Sequence, residues 1–289
     1  MSRADAPKWL EGIQKEFNDI ESRKVWIKVQ RSSVPKDRRL LGCRWVFRLK
    51  PNGVYRARVV VKGYSQIPGV DFTDSFIPVI NDVMFRVFLI LIYKHKYYKI
   101  IIDVETAFLH GDLDEIIYIE APEGYLIEDD ECLLLNKALY GLVQAARQWW
   151  KKFTNFLIQQ LGFIECTADC CLLYRQTNKG ICYFIMYVDD AIAAGTEDAV
   201  KEVQAEISQH FKIKESPFTE YVGCEIKESK NGKGYHLLQS GLVNSLSERF
   251  QIPNKFWNTP AQPSTVLTRA TDTDDLLSGT NQRLYRRAI

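Results

Sequence analysis

The chain has 289 residues, 46% of them hydrophobic and 26% charged, with 38 Lys plus Arg against 36 Asp plus Glu. This composition excludes a disordered chain, a collagen-like repeat and a disulfide miniprotein, and the length suits one large domain or two ordinary ones. No run approaches the roughly 20 apolar residues of a bilayer span, and MSRADAPKWLEG lacks a signal-peptide core. A soluble intracellular protein whose seven Cys are thiols is therefore expected.

The near-neutral total hides an asymmetry. Residues 1–102 carry 20 Lys plus Arg against 9 Asp plus Glu, whereas residues 103–131 hold eleven acids and no Lys or Arg. Such a divided field suggests a part that grips a polyanion and a part that holds divalent cations, although a solvated acidic face is the commoner origin of an acidic cluster.

Trp9, Ile13, Phe17 and Ile20 give a weak helical pattern over 7–22, followed by strand-like runs at VWIKV and CRWVFRLK. KPNGVY reads as a hairpin, with Asn52-Gly53 supplying the positive φ of a tight turn. In the next strand, YRARVVVKGY, Arg56, Arg58 and Lys62 fall at even spacing on one face and Ala57, Val59 and Val61 on the other. An apolar helix follows from about Val83 to Tyr93. The strand YKIIIDV then delivers Asp103 at its end, 104–111 reads as a short helix stopped at Gly111, and IIYIEAP as a strand. AARQWWKKFTNFLIQQLGF has helical periodicity with Gly162 as its stop. CCLLYRQ and ICYFIMYVDDAIAAG are strands, the latter broken only by Asp189 and Asp190, and Thr196 is expected to cap a helix reaching Phe211. EYVGCEIKES and GYHLLQS flank the turn NGKG, and a helix spans about Gly241 to Phe250. Residues 253–283, with three Pro and many Thr, Ser and Asp, read as a linker or tail. Irregular alternation with hairpins favours an α+β fold.

Two adjacent carboxylates inside an apolar strand-turn-strand are costly as bare ions and call for a cation. Asp103, alone after Ile101 and Ile102, has the same character, and three such acids suit Mg²⁺ or Mn²⁺. For YVDD alone, ordinary turn chemistry carries about half the weight; the surrounding Tyr183 to Val188 argue for a packed strand.

YVDD followed by AIAAG resembles the catalytic box of reverse transcriptases. CRWVFRLKPNGVYRARVVVKGYSQIPGVDFTDSFIPV, IIDVETAFLHGDLDEIIYIEAPEGY, LNKALYGLVQAARQWW and YVGCEIKES are similar in order and spacing to the copia-type retrotransposon branch, over about residues 8 to 287. The resemblance implies a right-hand polymerase: an N-terminal segment and fingers over 1–95, a ferredoxin-like palm over 96–235 with a fingers insertion at about 120–150, the start of a thumb over 236–252, and a linker or tail over 253–289 towards a missing RNase H region. It implies an RNA-directed DNA polymerase, a nucleotidyltransferase that adds dNTPs to a primer on an RNA or DNA template. Asp103, Asp189 and Asp190 would hold two Mg²⁺ ions, with Mn²⁺ as a substitute. Arg56, Arg58 and Lys62 would meet the triphosphate, the leading Arg being left open. Phe108 would be a sugar gate, with a core Phe as the alternative. Tyr140, Gly141 and Gln144 would form the nucleotide pocket. Tyr221, Val222, Gly223, Cys224 and Glu225 would position the primer.

Ala146 stands where the family has Pro, which puts the turn before the helix in question. By analogy the expected location is a cytoplasmic virus-like particle, or the nucleus, with RNase H and integrase regions of a parent polyprotein as partners and no membrane. An idle, truncated or domesticated nucleic-acid-binding relic is the alternative. A metal-dependent nuclease is a third reading, disfavoured by the basic hairpin and Phe108. Cys166, Cys170 and Cys171 lack zinc-finger spacing, His110 and His236 read as surface or turn residues, and Trp149 and Trp150 as core and interface residues.

Overall fold

Apolar residues at helical spacing form α1 (Ala6–Ser22), with Pro7 in the first turn, where its missing N–H costs nothing. The computed structural model describes residues 5–50, 52–188, 190–230, 232–251 and 279. After α1 come β1 (Trp26–Gln30), the two-residue β2 (Leu40–Leu41), and the hairpin of β3 (Cys43–Leu49) and β4 (Tyr55–Val61), with Gly53 at φ +81° in its turn. α2 (Asp82–His95) starts at Asn81, whose side chain accepts the Val83 N–H at 2.8 Å. Next are β5 (Tyr98–Val104), a single 3-10 turn at Ala107–His110, β6 (Asp112–Ile119), β7 (Glu131–Lys137) and α3 (Ala145–Gln159). They are followed by β8 (Ile164–Cys166), β9 (Asp169–Thr177), β10 (Gly180–Tyr187), β11 (Asp190–Gly195), α4 (Glu197–His210) and β12 (Ile213–Ser216).

The chain divides into two compact units, Met1–Phe218 and Thr219–Ile289. In the second, β13 (Glu220–Tyr221), β14 (Cys224–Glu228) and β15 (Tyr235–Leu238) form a three-stranded sheet, and α5 (Ser240–Phe250) follows. Val222 and Gly223, both at positive φ, make the turn between β13 and β14. The expected linker at 253–283 lies outside the described residues except for Gly279.

The first unit is built on the six-stranded sheet β12-β5-β11-β10-β9-β8. Its first four strands, antiparallel throughout and connected in the order β5, α3, β10, β11, α4, β12, have the split βαβ arrangement of a ferredoxin-like fold. This is the α+β sheet that the resemblance implied. Ile100, Ile102 and Val104 of β5, Phe184 and Met186 of β10, and Ala191 and Ala193 of β11 share one core with Trp149, Phe153 and Leu157 of α3 and Val200, Val203 and Ile207 of α4. Because strand side chains alternate, Asp103 and Asp190 fall on the opposite face. A second core joins α1, β1, β4, β6 and β7 around Phe17, Ile20, Val59, Val61, Ile117 and Leu133. α1 also covers the apolar face of the β3–β4 hairpin, with Trp9 edge-on to Phe47 at 5.2 Å and to Tyr55 at 4.7 Å.

Two expectations need correction, and the question raised by Ala146 is answered. The helix at 104–111 is only a 3-10 turn, because Asp103 and Val104 remain in β5. Thr196 precedes α4 without a side-chain cap; its hydroxyl donates instead to the Lys179 carbonyl at 3.0 Å. The turn before α3 forms without proline, the Ala145 N–H bonding the Leu142 carbonyl at 3.2 Å.

Gly111 brings the chain after the 3-10 turn against α3: a Cβ there would lie 2.8 Å from the backbone of Gln148 and Trp149. Gly111→Ala is therefore expected to destabilise the first unit by about 1–3 kcal/mol through overpacking, read as a lower midpoint in urea. An unchanged midpoint would mean that α3 gives way freely.

Candidate functional site

The antiparallel register sets Asp190 directly opposite Asp103, and on the far side of β5 it sets Lys214 of β12 opposite Asp103. Directly opposed residues share a face with Cβ atoms about 4.5–5.5 Å apart, so an Asp190–Asp103–Lys214 row crosses three strands. Asp189 lies outside the described residues. Val188, just before it, has φ +56°, a left-handed conformation that strains a β-branched residue.

Asp103 opens onto a cavity of about 200 Å³ whose lining includes Lys15, Glu16 and Asp19 of α1, Lys50, Arg56 and Arg58 of the β3–β4 hairpin, and Phe108, Tyr140 and Lys214. Five of these side chains are cations. The guanidinium of Arg58 lies over the Tyr140 ring, 4.2 Å from its centroid, and Phe108 packs against the same ring at 5.4 Å. Tyr140 is held there through its backbone: its carbonyl accepts the Val61 N–H at 2.8 Å. Gly141, at φ +90°, permits the approach, since a Cβ on it would sit 2.2 Å from the Val61 oxygen. Burial and nearby Arg56 push the Lys50 ammonium below its ordinary range. On the same face of the hairpin Arg48 stands directly opposite Arg56, a like-charge pairing that favours an anionic ligand.

Not every residue expected at the site reaches it. β4 ends at Val61, so Lys62 leaves the strand alternation; its stem packs by Gly42 and it does not line the cavity. Gln144 is fully buried, donating to the Asp71 carbonyl at 2.9 Å and accepting from Gln66 at 3.0 Å, away from the cavity lining. Gly141 acts through backbone packing. Tyr221 to Glu225 belong to the second unit. Phe108 is half-buried, packed on both cores while its ring borders the cavity.

Four acids of the segment are answered by cations: Glu105 by Lys212 at 2.9 Å, Asp112 by Lys152 at 2.6 Å, Asp114 by Lys151 at 2.7 Å, and Glu120 by Arg31. Among the described residues, Asp169, Cys170 and Cys171 bring three ligand atoms within 4.8 Å of one another. Asp169 already accepts the N–H groups of Asn81 and Cys171, and burial raises both thiols, which does not suit a metal. His236 is exposed on β15. His110 ends the 3-10 turn beside Trp149 and Phe211, and burial lowers it to about 4.

The sequence reading passed over Lys15, Glu16, Lys50 and Lys214. Glu16 accepts the Val59 N–H at 3.1 Å, and burial raises its carboxyl to about 7. A carboxyl whose folded pKa exceeds its unfolded value stabilises the fold fully below the unfolded value, near 4.5, and loses that contribution as pH rises through 7. Relative to Glu16→Gln, the wild-type unfolding free energy should fall by about 3 kcal/mol between pH 4.5 and 8. Parallel profiles in urea melts across that range would refute this.

Residues 23–263 match the family model described as reverse transcriptase (RNA-dependent DNA polymerase). The chain is 32% identical over 264 residues to the retrovirus-related Pol polyprotein from transposon TNT 1-94 of Nicotiana tabacum, covering 88% of this chain and 20% of that protein. It is 33% identical over 271 residues to the corresponding polyprotein from transposon RE2 of Arabidopsis thaliana, covering 90% and 18%. Similarity extends at 27% identity to the transposon Ty1-OR Gag-Pol polyprotein of Saccharomyces cerevisiae, covering 89% of this chain and 14% of that protein. The chain thus spans about a fifth or less of the length of these relatives. A solved foamy viral protease-reverse transcriptase in complex with double-stranded DNA superposes with a TM-score of 0.43 at 13% identity, covering 83% of this chain and 37% of that one.

Proposed function

The chain belongs to the reverse transcriptase (RNA-dependent DNA polymerase) family, and from that premise we propose that it adds deoxynucleotides to a primer 3′-hydroxyl on an RNA or DNA template. The observation that carries this reading is the register pairing of Asp103 with Asp190 on a face that opens to a cation-lined cavity.

Asp103 and Asp190 offer hard carboxylate oxygens on adjacent strands, and Asp189 is next in sequence; this donor set suits Mg²⁺. Two such ions, when bound, supply Lewis acidity at the attacking hydroxyl and at the leaving pyrophosphate. The protein's own part is to bind and orient. Arg56 and Arg58, with Lys50 beside them, receive the triphosphate, a role for which the planar guanidinium is suited. Tyr140 holds the Arg58 guanidinium over its ring, so less side-chain freedom is lost when the nucleotide arrives. The Phe108 ring meets the sugar and clashes with a ribose 2′-hydroxyl, which selects deoxyribose by repulsion. Tyr221 to Glu225 position the primer end.

Primer extension on poly(rA) with Mg²⁺ tests the reading. Wild-type protein is expected to extend the primer, and Asp103→Asn or Asp190→Asn to slow extension on the order of 10²–10³-fold with an unchanged circular dichroism spectrum. Tight primer–template binding without extension by the wild type would favour the idle relic. Phe108→Ala is expected to incorporate ribonucleotides that the wild type rejects; equal rejection by both would assign Phe108 to packing alone.

A further inference from the structure

The β10–β11 hairpin closes on the register partners Tyr187 and Asp190, and Val188 leaves β10 directly after Tyr187. Tight hairpin turns need positive φ and favour Gly or Asn, yet Val188 takes φ +56° with a branched side chain. A conformation of this kind persists only where surrounding structure over-determines it. The group that meets it is the indole of Trp149 on α3, whose Nε1–H donates to the Val188 carbonyl at 3.0 Å.

That indole is held firmly. It is 1% exposed, stacked on Phe153 at 4.8 Å and edge-on to Phe211 at 5.7 Å. Gly111 presses on the helix backbone at the same residue. One and a half turns further along α3, Thr154 donates to the Met186 sulfur at 3.6 Å, a second tie to β10. Nor is the Trp149 bond a matter of satisfying any buried indole: the Nε1 atoms of Trp26 and Trp150 are buried with no hydrogen-bond partner.

We propose that Trp149 is a positioning residue which, through its bond to the Val188 carbonyl, holds the strained turn and thereby fixes the aim of Asp190 towards Asp103. In its effect on catalysis the proposal rests on the polymerase reading above; in its effect on the hairpin it does not.

The test uses the full chain with Trp149→Phe, which keeps an aromatic ring and removes the N–H, beside Phe153→Leu, which loosens the same stack and keeps the N–H. Hydrogen exchange of the segment spanning 181–195 is measured by mass spectrometry, together with melting temperature and primer-extension kinetics. Trp149→Phe is expected to speed exchange in that segment by about tenfold, the scale of one lost hydrogen bond. It is also expected to lower kcat by a similar factor while the KM for dNTP stays within about twofold. Phe153→Leu, at a comparable loss of melting temperature, should leave exchange in that segment near wild type. Unchanged exchange in Trp149→Phe, or equal acceleration by Phe153→Leu, would overturn the proposal. A wild type that exchanges as expected but extends no primer would sink the polymerase reading and leave the hairpin result standing.

Discussion

Antiparallel pairing between β5 and β11 is the constraint on which everything at the site depends. Slipping either strand by one residue would turn every side chain to the other face, carrying Ile100, Ile102 and Val104, or Ala191 and Ala193, out of the core beneath the helices. The apolar rows thus enforce the meeting of Asp103 with Asp190, two groups that would repel if nothing else held them. The geometry of this acidic pair is set by hydrophobic burial on the reverse side of the sheet.

The cavity walls follow a related logic. The hairpin β3–β4 contributes cations from one face while α1 takes up the apolar face, and Tyr140 is fastened to the end of β4 by backbone contact. Cationic side chains therefore project from a scaffold whose order does not depend on them, which lowers the ordering cost when an anion binds.

How much of this was legible in the sequence depended on whether a local period carried it. The strand ending at Asp103, the YVDD hairpin and the Asn52-Gly53 turn were readable because alternation and turn chemistry act within a few residues. Strands β7 and β12 escaped: ECLLLNK lies at the end of an acidic run and IKES is only four residues long. Lys62 continued an even spacing on paper, but the strand had already ended at Val61. Glu16 read as one polar position on an amphipathic helix; only tertiary packing turns it into a buried acceptor for Val59. The acids of 103–131 suggested a reservoir of cation ligands, whereas Lys151 and Lys152, remote in sequence, answer two of them. Lys50 and Lys214 reach the cavity by contacts that no spacing rule encodes.

The helix α1 ends at Ser22, one residue before the region common to the family begins. Yet its Trp9 and Phe17 cover Phe47, Tyr55 and Trp45 of the hairpin. An expression boundary drawn at residue 23 would remove Trp9 and Phe17 and wet the part of the ribbon they cover, leaving β4 only the packing of Val59 and Val61 in the second core. A piece that begins where the family-model match begins would therefore lack part of the hydrophobic cover of the β3–β4 hairpin.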